Sequence, residues 1–230
     1  MVYTYEYPRP LVTVDVILLQ AGETDVEVLL IERKHPPFQN QWALPGGYVG
    51  IEEPLETAAR RELVEETGVS RLPLVQIGVA GHPGRDPRGR TISVIFTGLV
   101  PRHQNVLPRG GDDARAARWF PLKLLPPLAF DHHQLLNQQL ATIRFCALYK
   151  LWLLEFLRPR SFTVKDVQHL QTLLTGNVWT AAIWNDICLH LPCLIPDGNT
   201  FTWKDSTPIF LYSDTFWMEF WGKRLSQFLP

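Results

Sequence analysis

Three carboxylates, Glu62, Glu65 and Glu66, have the types and the spacing to hold a divalent cation. The stretch from residue 55 to 67 contains no glycine or proline and is rich in Ala, Leu, Glu and Arg, which predicts a helix. Glu62 and Glu66 are four residues apart and therefore share a face of that helix, with Glu65 on the adjacent edge. Clustered carboxylates repel one another, and their hard oxygen atoms are suitable ligands for a divalent cation such as Mg²⁺ or Mn²⁺. The alternative is a solvated acidic helix face.

The segment before this helix, Leu44-Pro45-Gly46-Gly47, supports the metal interpretation. Glycine has no side chain and tolerates positive φ, so the two glycines would let the backbone approach a ligand closely. A loop that exposes carbonyls and amides beside an acidic helix predicts a metal–phosphate site. Pro54 suits a first helical turn and Gly68 a C-terminal cap, which places the helix between them.

The stretch from Gly47 to Val69 resembles the signature of the Nudix hydrolases, G-x5-E-x7-R-E-U-x-E-E-x-G-U with U aliphatic, at every fixed position. The resemblance implies a fold of class α/β, an α/β/α sandwich around a mixed sheet. It also implies a metal site that cleaves a pyrophosphate, with Mg²⁺ (or Mn²⁺) as the cofactor. The implied metal ligands are Gly46, through its carbonyl, Glu62, Glu65 and Glu66.

The catalytic roles are implied by the same resemblance. Glu62 is expected to hold metal, and Glu65 is the candidate within the motif for the base that takes the proton of the attacking water. Arg61 is expected to orient the carboxylates rather than to touch substrate. Glu53 either pairs with Arg61 or holds an outer metal water. The acidic turn Asp112-Asp113 either supplies a further ligand or base, or only caps the turn.

A turn-rich basic segment from Gly81 to Arg90 carries three arginines within six residues. Planar guanidinium groups can bind phosphates through paired donors, but arginines at an exposed hairpin tip can equally well only solvate the turn. The candidate substrate-binding residues are Arg33, Gly47, Arg85 and Arg90. An aromatic side chain must stack on the base, and the sequence does not single one out, since Trp42 fits the core equally well.

The elements that must position these residues follow from the apolar pattern. Apolar and β-branched runs predict strands over residues 11–20, 26–33, 42–44, 74–80, 91–100 and 117–122. Beyond them, helices are predicted over 132–140 and on to 157, over 163–175 and over 178–191, then a β-hairpin over 195–212. We therefore expect a Nudix domain over residues 1–127 and a smaller α+β, winged-helix-like domain over 128–230.

Four further stretches resemble one branch of the family: HPPFQNQWALPGGYV, GRDPRGRTISVIF, GGDDARAARWFPL and LAFDHHQLL. That branch contains bacterial ADP-ribose pyrophosphatases and NAD-related transcriptional regulators, in which a winged helix-turn-helix follows the Nudix domain. The resemblance therefore implies an enzyme that hydrolyses ADP-ribose to AMP and ribose 5-phosphate. The alternative is a regulator of NAD metabolism that senses ADP-ribose and binds DNA.

Three features of the sequence favour the enzyme, and one of them is the lack of Lys and Arg in the would-be recognition helix, VWTAAIWNDICLHL. The motif is complete, and a hydrolase needs every carboxylate whereas a sensor does not. From Ser161 to Ser213 the cations are Lys165 and Lys204 alone, against four aspartates, and phosphate binding depends on Lys and Arg. DNA is therefore disfavoured as a partner, although binding through arginines outside this range stays open. We expect the C-terminal domain to form a homodimer.

The composition sets the remaining bounds. A formal net charge of −1 gives no general attraction to nucleic acid or membrane. Three cysteines without metal-ligand spacing predict reduced, buried thiols in an intracellular compartment. The start of the chain has neither the basic residues nor the apolar core of a signal peptide, and no apolar run is long enough for a membrane span. The predicted location is the cytoplasm.

Overall fold

The computed structural model describes residues 6–101, 104, 106–111, 113–158, 160–205, 208–209 and 212–222. Asp112, one of the candidate acids, lies outside the described residues. The chain forms two compact units. The first comprises Met1–Leu19, Glu27–Gly98 and Val106–Leu140, and the second comprises Gln20–Val26, Leu99–Asn105 and Ala141–Pro230. The domain boundary after residue 127 stays a prediction.

Seven strands form one sheet within the described part of the chain. They are β1 (Leu11–Ala21), β2 (Val26–Arg33), β3 (Trp42–Ala43), β4 (Gly46–Tyr48), β5 (Val75–Ala80), β6 (Thr91–Val100) and β7 (Ala114–Pro121). The order is β3-β2-β1-β6-β5, with β4 paired to β1 and β7 paired to β2. These two pairs are antiparallel, whereas the bridge between Trp42 and Leu128 is parallel, so the sheet is mixed. The architecture confirms the predicted α/β class.

The two central strands owe their position to nearly continuous apolar runs. In β1, Val14 and Val16–Leu19 are fully buried, and in β2, Val26 and Val28–Leu30 are fully buried. Strands that are covered on both faces have such runs instead of an alternating pattern. One charged residue, Asp15, interrupts the run in β1 and is also buried.

Helix α1 (Leu55–Thr67) begins after Pro54 and ends before Gly68, as predicted. Gly68 adopts a left-handed conformation with φ of 70°, and its N–H donates to the carbonyl of Val64, which caps the helix. The helix packs on β4 and β7. Its buried residues are Ala58, Ala59, Leu63, Glu66 and Thr67, so one carboxylate of the motif points into the protein.

The glycine segment, predicted as a loop, forms a strand in the structure. Gly46 and Gly47 lie in β4, antiparallel to β1, with Gly46 opposite Asp15 and Gly47 opposite Val14. A Cβ atom at Gly46 would lie 2.1 Å from the carbonyl oxygen of Val14, and its φ is 154°. The first glycine is therefore required for the close approach of two strands.

The remaining elements are α2 (His132–Tyr149), a 3₁₀ helix (Trp152–Leu157), α3 (Val164–Thr175), α4 (Ala181–His190), β8 (Leu194–Asp197), β9 (Thr200–Trp203) and α5 (Asp214–Gly222). Helix α3 begins with the predicted capping box, in which Thr163 and Asp166 bond each other's backbone N–H groups. It ends at Gly176, with φ of 74°. Helix α3 packs on α4, and α4 packs on β8 of a β8–β9 hairpin, which gives the predicted winged-helix-like order.

Two predicted helices have different limits in the structure. The helix expected to reach residue 157 ends at Tyr149, because Leu151 adopts a left-handed conformation with φ of 53°. In the 3₁₀ helix that follows, Glu155 is buried and paired with Arg158 at 3.0 Å. Helix α4 starts at Ala181 instead of residue 178, because the side chain of Thr180 caps it. Among the described residues, no helix combines the length and the apolar character needed to cross a membrane.

Candidate metal and phosphate site

Glu66 is the most deeply buried carboxylate of the motif, with 5% of the residue exposed. It lies on the inner face of α1, where its Oε2 accepts a hydrogen bond of 2.8 Å from the N–H of Gly46. Burial raises the pKa of Glu66 to about 8; the Gly46 N–H opposes this shift, and the charge of Glu62 adds to it. A carboxylate held in this way is stabilised in its charged form by a nearby cation.

Glu62 lies one turn earlier on α1, against Gly47. A Cβ atom at Gly47 would lie 2.4 Å from Oε1 of Glu62, so the absence of a side chain makes room for this carboxylate. Burial raises the pKa of Glu62, and the hydrogen bond from Arg61 opposes that effect. The two glycines of β4 therefore each receive one carboxylate of α1.

Arg61 connects three acidic side chains. Its Nε and Nη2 donate to the two oxygens of Glu53 at 2.8 and 2.9 Å. Its Nη1 donates to Glu62 at 2.8 Å and to Glu65 at 3.0 Å. The hydrogen bonds from Arg61 lower the pKa of Glu53 to about 2, and the bond to Glu53 is the first cause of the raised pKa of Arg61. Of the two roles considered for Glu53, this geometry favours pairing with Arg61.

The donor set fits a hard divalent cation. Glu62 and Glu66 are two largely buried carboxylates beside Gly47 and Gly46, and burial raises the pKa of both, an effect that a bound cation would oppose. Glu65 is more exposed, at 44% of its side chain, and is held by Arg61. Within the described residues, no three acidic, histidine or cysteine side chains already converge as a ligand cluster. Arg61 instead holds two of the three motif carboxylates in the arrangement seen here.

A narrow cleft lies beside Gly46 and Gly47, and the predicted phosphate-binding arginines differ in their relation to it. Arg33 lines the cleft; its Nε donates to the carbonyl of Pro37 at 2.8 Å. Arg90 is exposed, donates to the carbonyl of Gly81, and is not among the residues lining the cleft. Arg88, which the sequence did not single out, does line it.

Arg85 also lines the cleft, but it is buried instead of lying at an exposed hairpin tip. Its side chain is only 4% exposed and donates to both oxygens of Asp131, at 3.0 and 2.9 Å, and to Asp15 at 3.4 Å. The guanidinium of Arg85 is therefore buried and already paired with two carboxylates. Burial of a charge requires such partners, and here they are supplied by β1 and by the residue before α2.

The sequence also gave no sign that Asp15 and His132 meet near the glycine strand. The Nδ1 of His132 accepts a hydrogen bond of 3.0 Å from the N–H of Leu44, and its Nε2 lies 3.5 Å from Asp15. Burial lowers the pKa of His132. A lone acid within the apolar run of β1 was the available signal for Asp15.

Two further candidates are Asp113, considered as a ligand or base, and Trp42, considered for stacking on the base. Asp113 is exposed, with its carboxylate 3.6 Å from Nε2 of His35, and its charge contributes to the raised pKa of Glu66. Trp42 is half-buried and packs edge-to-face on Phe120, with centroids 4.6 Å apart.

Comparison with known proteins identifies the family. The model of the NUDIX domain matches residues 9–139. The chain belongs to the Nudix family. This Nudix chain is 32% identical over 176 residues to the ADPR responsive transcriptional repressor NtrR of Acinetobacter baylyi, covering 75% of this chain and 69% of NtrR. It is 44% identical over 133 residues to the ADP-ribose pyrophosphatase of Methanocaldococcus jannaschii, covering 57% of this chain and 73% of that enzyme.

A solved structure extends the likeness beyond the Nudix domain. Shewanella oneidensis NrtR complexed with a 27mer DNA superposes with a TM-score of 0.70 at 28% identity, covering 84% of this chain and 93% of NrtR. The Nudix relatives thus include both an ADP-ribose pyrophosphatase and regulators that respond to ADP-ribose. Nudix hydrolases generally use divalent metal ions, which agrees with the carboxylate pair at Gly46 and Gly47.

Proposed function

We propose that this Nudix protein is a metal-dependent pyrophosphohydrolase that converts ADP-ribose to AMP and ribose 5-phosphate. The observation that carries the proposal is the pair of desolvated carboxylates, Glu62 and Glu66, seated against the two glycines of β4. A binding protein has no need of a complete acidic motif, whereas a hydrolase uses it to hold metal. The ADP-ribose pyrophosphatase of M. jannaschii supports the choice of substrate.

In this proposal Glu62 and Glu66 would hold Mg²⁺ or Mn²⁺ together with Glu65 and the carbonyl of Gly46. The ion would lower the pKa of the attacking water and neutralise charge on the phosphoryl oxygens. Glu65 takes the proton of that water, a role suited to its exposed position at the end of the Arg61 network. Arg61 acts as a positioning residue, since its guanidinium is engaged by Glu53, Glu62 and Glu65 and so orients the motif carboxylates.

The diphosphate is placed in the cleft at the glycine strand. Arg33 and Arg88 line it and supply planar cationic donors. The guanidinium of Arg88 is held by Asp86 at 2.7 Å and lies 4.9 Å from the ring centroid of Tyr48. Arg85 also lines this cleft, but its guanidinium is paired with Asp15 and Asp131, so it serves to support the cleft. Arg90 does not line the cleft and is the weakest of the predicted phosphate contacts.

Substitution of the motif carboxylates tests the proposed site. With Mg²⁺ or Mn²⁺ present, Glu65→Gln and Glu66→Gln should each lower the rate of ADP-ribose hydrolysis by at least about 100-fold, because base and metal contributions are lost. Glu56→Gln is the matched control, since Glu56 lies on the same helix but pairs with Arg60 at the surface. Full activity in both motif variants would refute the site assignment.

The alternative function is an ADP-ribose-responsive regulator. It is favoured by the similarity to NtrR, which covers 75% of this chain, and by the helix–helix–hairpin order of the C-terminal segment. It is disfavoured by the absence of Lys and Arg from the sequence of α4. Salt-sensitive binding of a specific DNA duplex, changed by ADP-ribose and without turnover, would support the regulator.

A further inference from the structure

A larger cavity adjoins the glycine cleft within the first unit. Its volume is about 590 Å³, which lies in the range of small-molecule sites. It shares Phe130 and Arg85 with the cleft at Gly46 and Gly47, so one ligand can extend across both. The walls that matter here are Phe38, Pro83, Pro87, Phe130, Gln134 and Gln138. Four of these six side chains are apolar or aromatic, and two are amides.

The aromatic wall is built on two unusual backbone positions. Phe38 and Phe130 have φ of 60° and 55°, in the left-handed region that bulky residues rarely adopt. Their rings meet edge-to-face, with centroids 4.7 Å apart. Backbone hydrogen bonds hold both segments: Gln41 N–H to the Phe38 carbonyl at 3.1 Å, and Ala129 N–H to the Trp42 carbonyl at 2.7 Å. Strain of this kind concentrates at ligand sites.

The polar wall is built from two amides of α2. Gln134 and Gln138 are four residues apart, so they lie on the same helix face, and both are exposed. An amide carries an acceptor and two donors, and it matches the paired donor and acceptor of an adenine edge. A terminal ribose has hydroxyl groups but no planar aromatic face to stack on the two phenylalanines. The combination of aromatic surface and amides therefore fits a purine base better than a sugar.

We infer that this cavity holds the adenine of the ligand, while the phosphates lie at the glycine strand. The assignment rests on the proposed function for the position of the phosphates. Phe130 stands at the junction of the two cavities, with the guanidinium of Arg33 4.8 Å and that of Arg88 5.5 Å from its centroid. Phe38, Gln134 and Gln138 are the residues that set base specificity.

Equilibrium binding of AMP to the full-length protein tests the inference without turnover. Calorimetry should show that Gln138→Ala and Phe38→Leu each weaken AMP binding about tenfold, because a paired hydrogen bond or an aromatic face is lost. Binding of ribose 5-phosphate should stay unchanged. Asn137→Ala is the matched control, since Asn137 is exposed on the same helix and does not line the cavity. Leucine at position 38 keeps an apolar side chain, and a melting curve verifies the fold of each variant.

Several results would overturn the inference: no measurable AMP binding by the wild-type protein, unchanged AMP affinity in both variants, or a loss confined to ribose 5-phosphate. In the wild-type protein, GMP should bind about tenfold more weakly than AMP, since guanine presents a different donor and acceptor edge. Equal affinity for the two nucleotides would contradict the role of the amides. Because AMP binding needs no hydrolysis, a catalytically silent protein that shows these affinities would retain the base site and refute only the hydrolytic proposal.

Discussion

At the scale of single residues, the site depends on polar groups that are buried together with their partners. Asp15 accepts a hydrogen bond of 2.5 Å from the hydroxyl of Ser93 and pairs with Arg85 at 3.4 Å. His132 accepts from the N–H of Leu44, two residues before Gly46, and so fixes the entry to the glycine strand. The Nδ1 of His132 is therefore unprotonated, and the ring proton lies on Nε2, which faces Asp15. A neutral imidazole is what this arrangement requires.

His132 gives the protein a predictable pH dependence. Burial lowers the pKa of His132 in the folded protein. Below pH 6.5, therefore, this side chain takes up a proton in the unfolded chain more readily than in the folded protein. The contribution of His132 to stability is therefore present above pH 6.5 and lost as the pH falls toward its folded pKa, by up to about 1.4 kcal/mol per pH unit. The free energy of unfolding, measured by denaturant at several pH values, should fall less steeply below pH 6.5 in His132→Gln.

Other groups also titrate in this range, so a neighbouring histidine serves as the control. His133 is exposed on the same turn of α2, and His133→Gln should leave the slope of the wild-type protein unchanged. A slope that is equal in wild type and His132→Gln would contradict a buried, neutral His132. Glutamine retains an acceptor for the N–H of Leu44, so the substitution removes the titratable imidazole and keeps the hydrogen bond.

At the scale of elements, the site is the contact between α1 and β4. The sequence predicted α1 to the residue at both ends, because Pro54 and Gly68 are local signals. It also predicted that Glu62 and Glu66 share a face. It did not predict that the glycines form a strand, because that depends on the pairing of β4 with β1, more than thirty residues away. The partners of Arg85 and His132 were missed for the same reason, since β1 and the start of α2 meet only in the folded chain.

Gly47→Ala tests this contact. Its Cβ would lie 2.4 Å from Glu62, which is the mobile end of a side chain, so the fold should persist while the carboxylate is displaced. We expect the melting temperature to change little. The Mn²⁺ affinity, measured by titration, should fall at least about tenfold, because a loss of this size is typical when a metal ligand loses its support. Gly81→Ala is the control for metal affinity, since its nearest neighbour would be 3.8 Å away. Unchanged Mn²⁺ affinity in Gly47→Ala would argue against Glu62 as a ligand.

At the scale of the whole molecule, the chain combines a complete Nudix motif with a C-terminal segment resembling that of DNA-binding relatives. Between Ser161 and Ser213 its sequence offers two lysines against four aspartates, a weak basis for binding phosphate backbones. The overall likeness to NrtR therefore indicates shared architecture, while the local charge favours another use of this segment. We propose that the segment serves homodimer formation.

Product analysis of the wild-type protein tests the central claim most directly. Purified full-length protein is incubated with ADP-ribose and Mg²⁺ or Mn²⁺, and AMP and ribose 5-phosphate are quantified over time, with chelator as the matched blank. We predict stoichiometric release of both products over repeated turnovers and none in chelator. If ADP-ribose binds in the presence of either metal but remains intact, the proposed hydrolytic function is wrong.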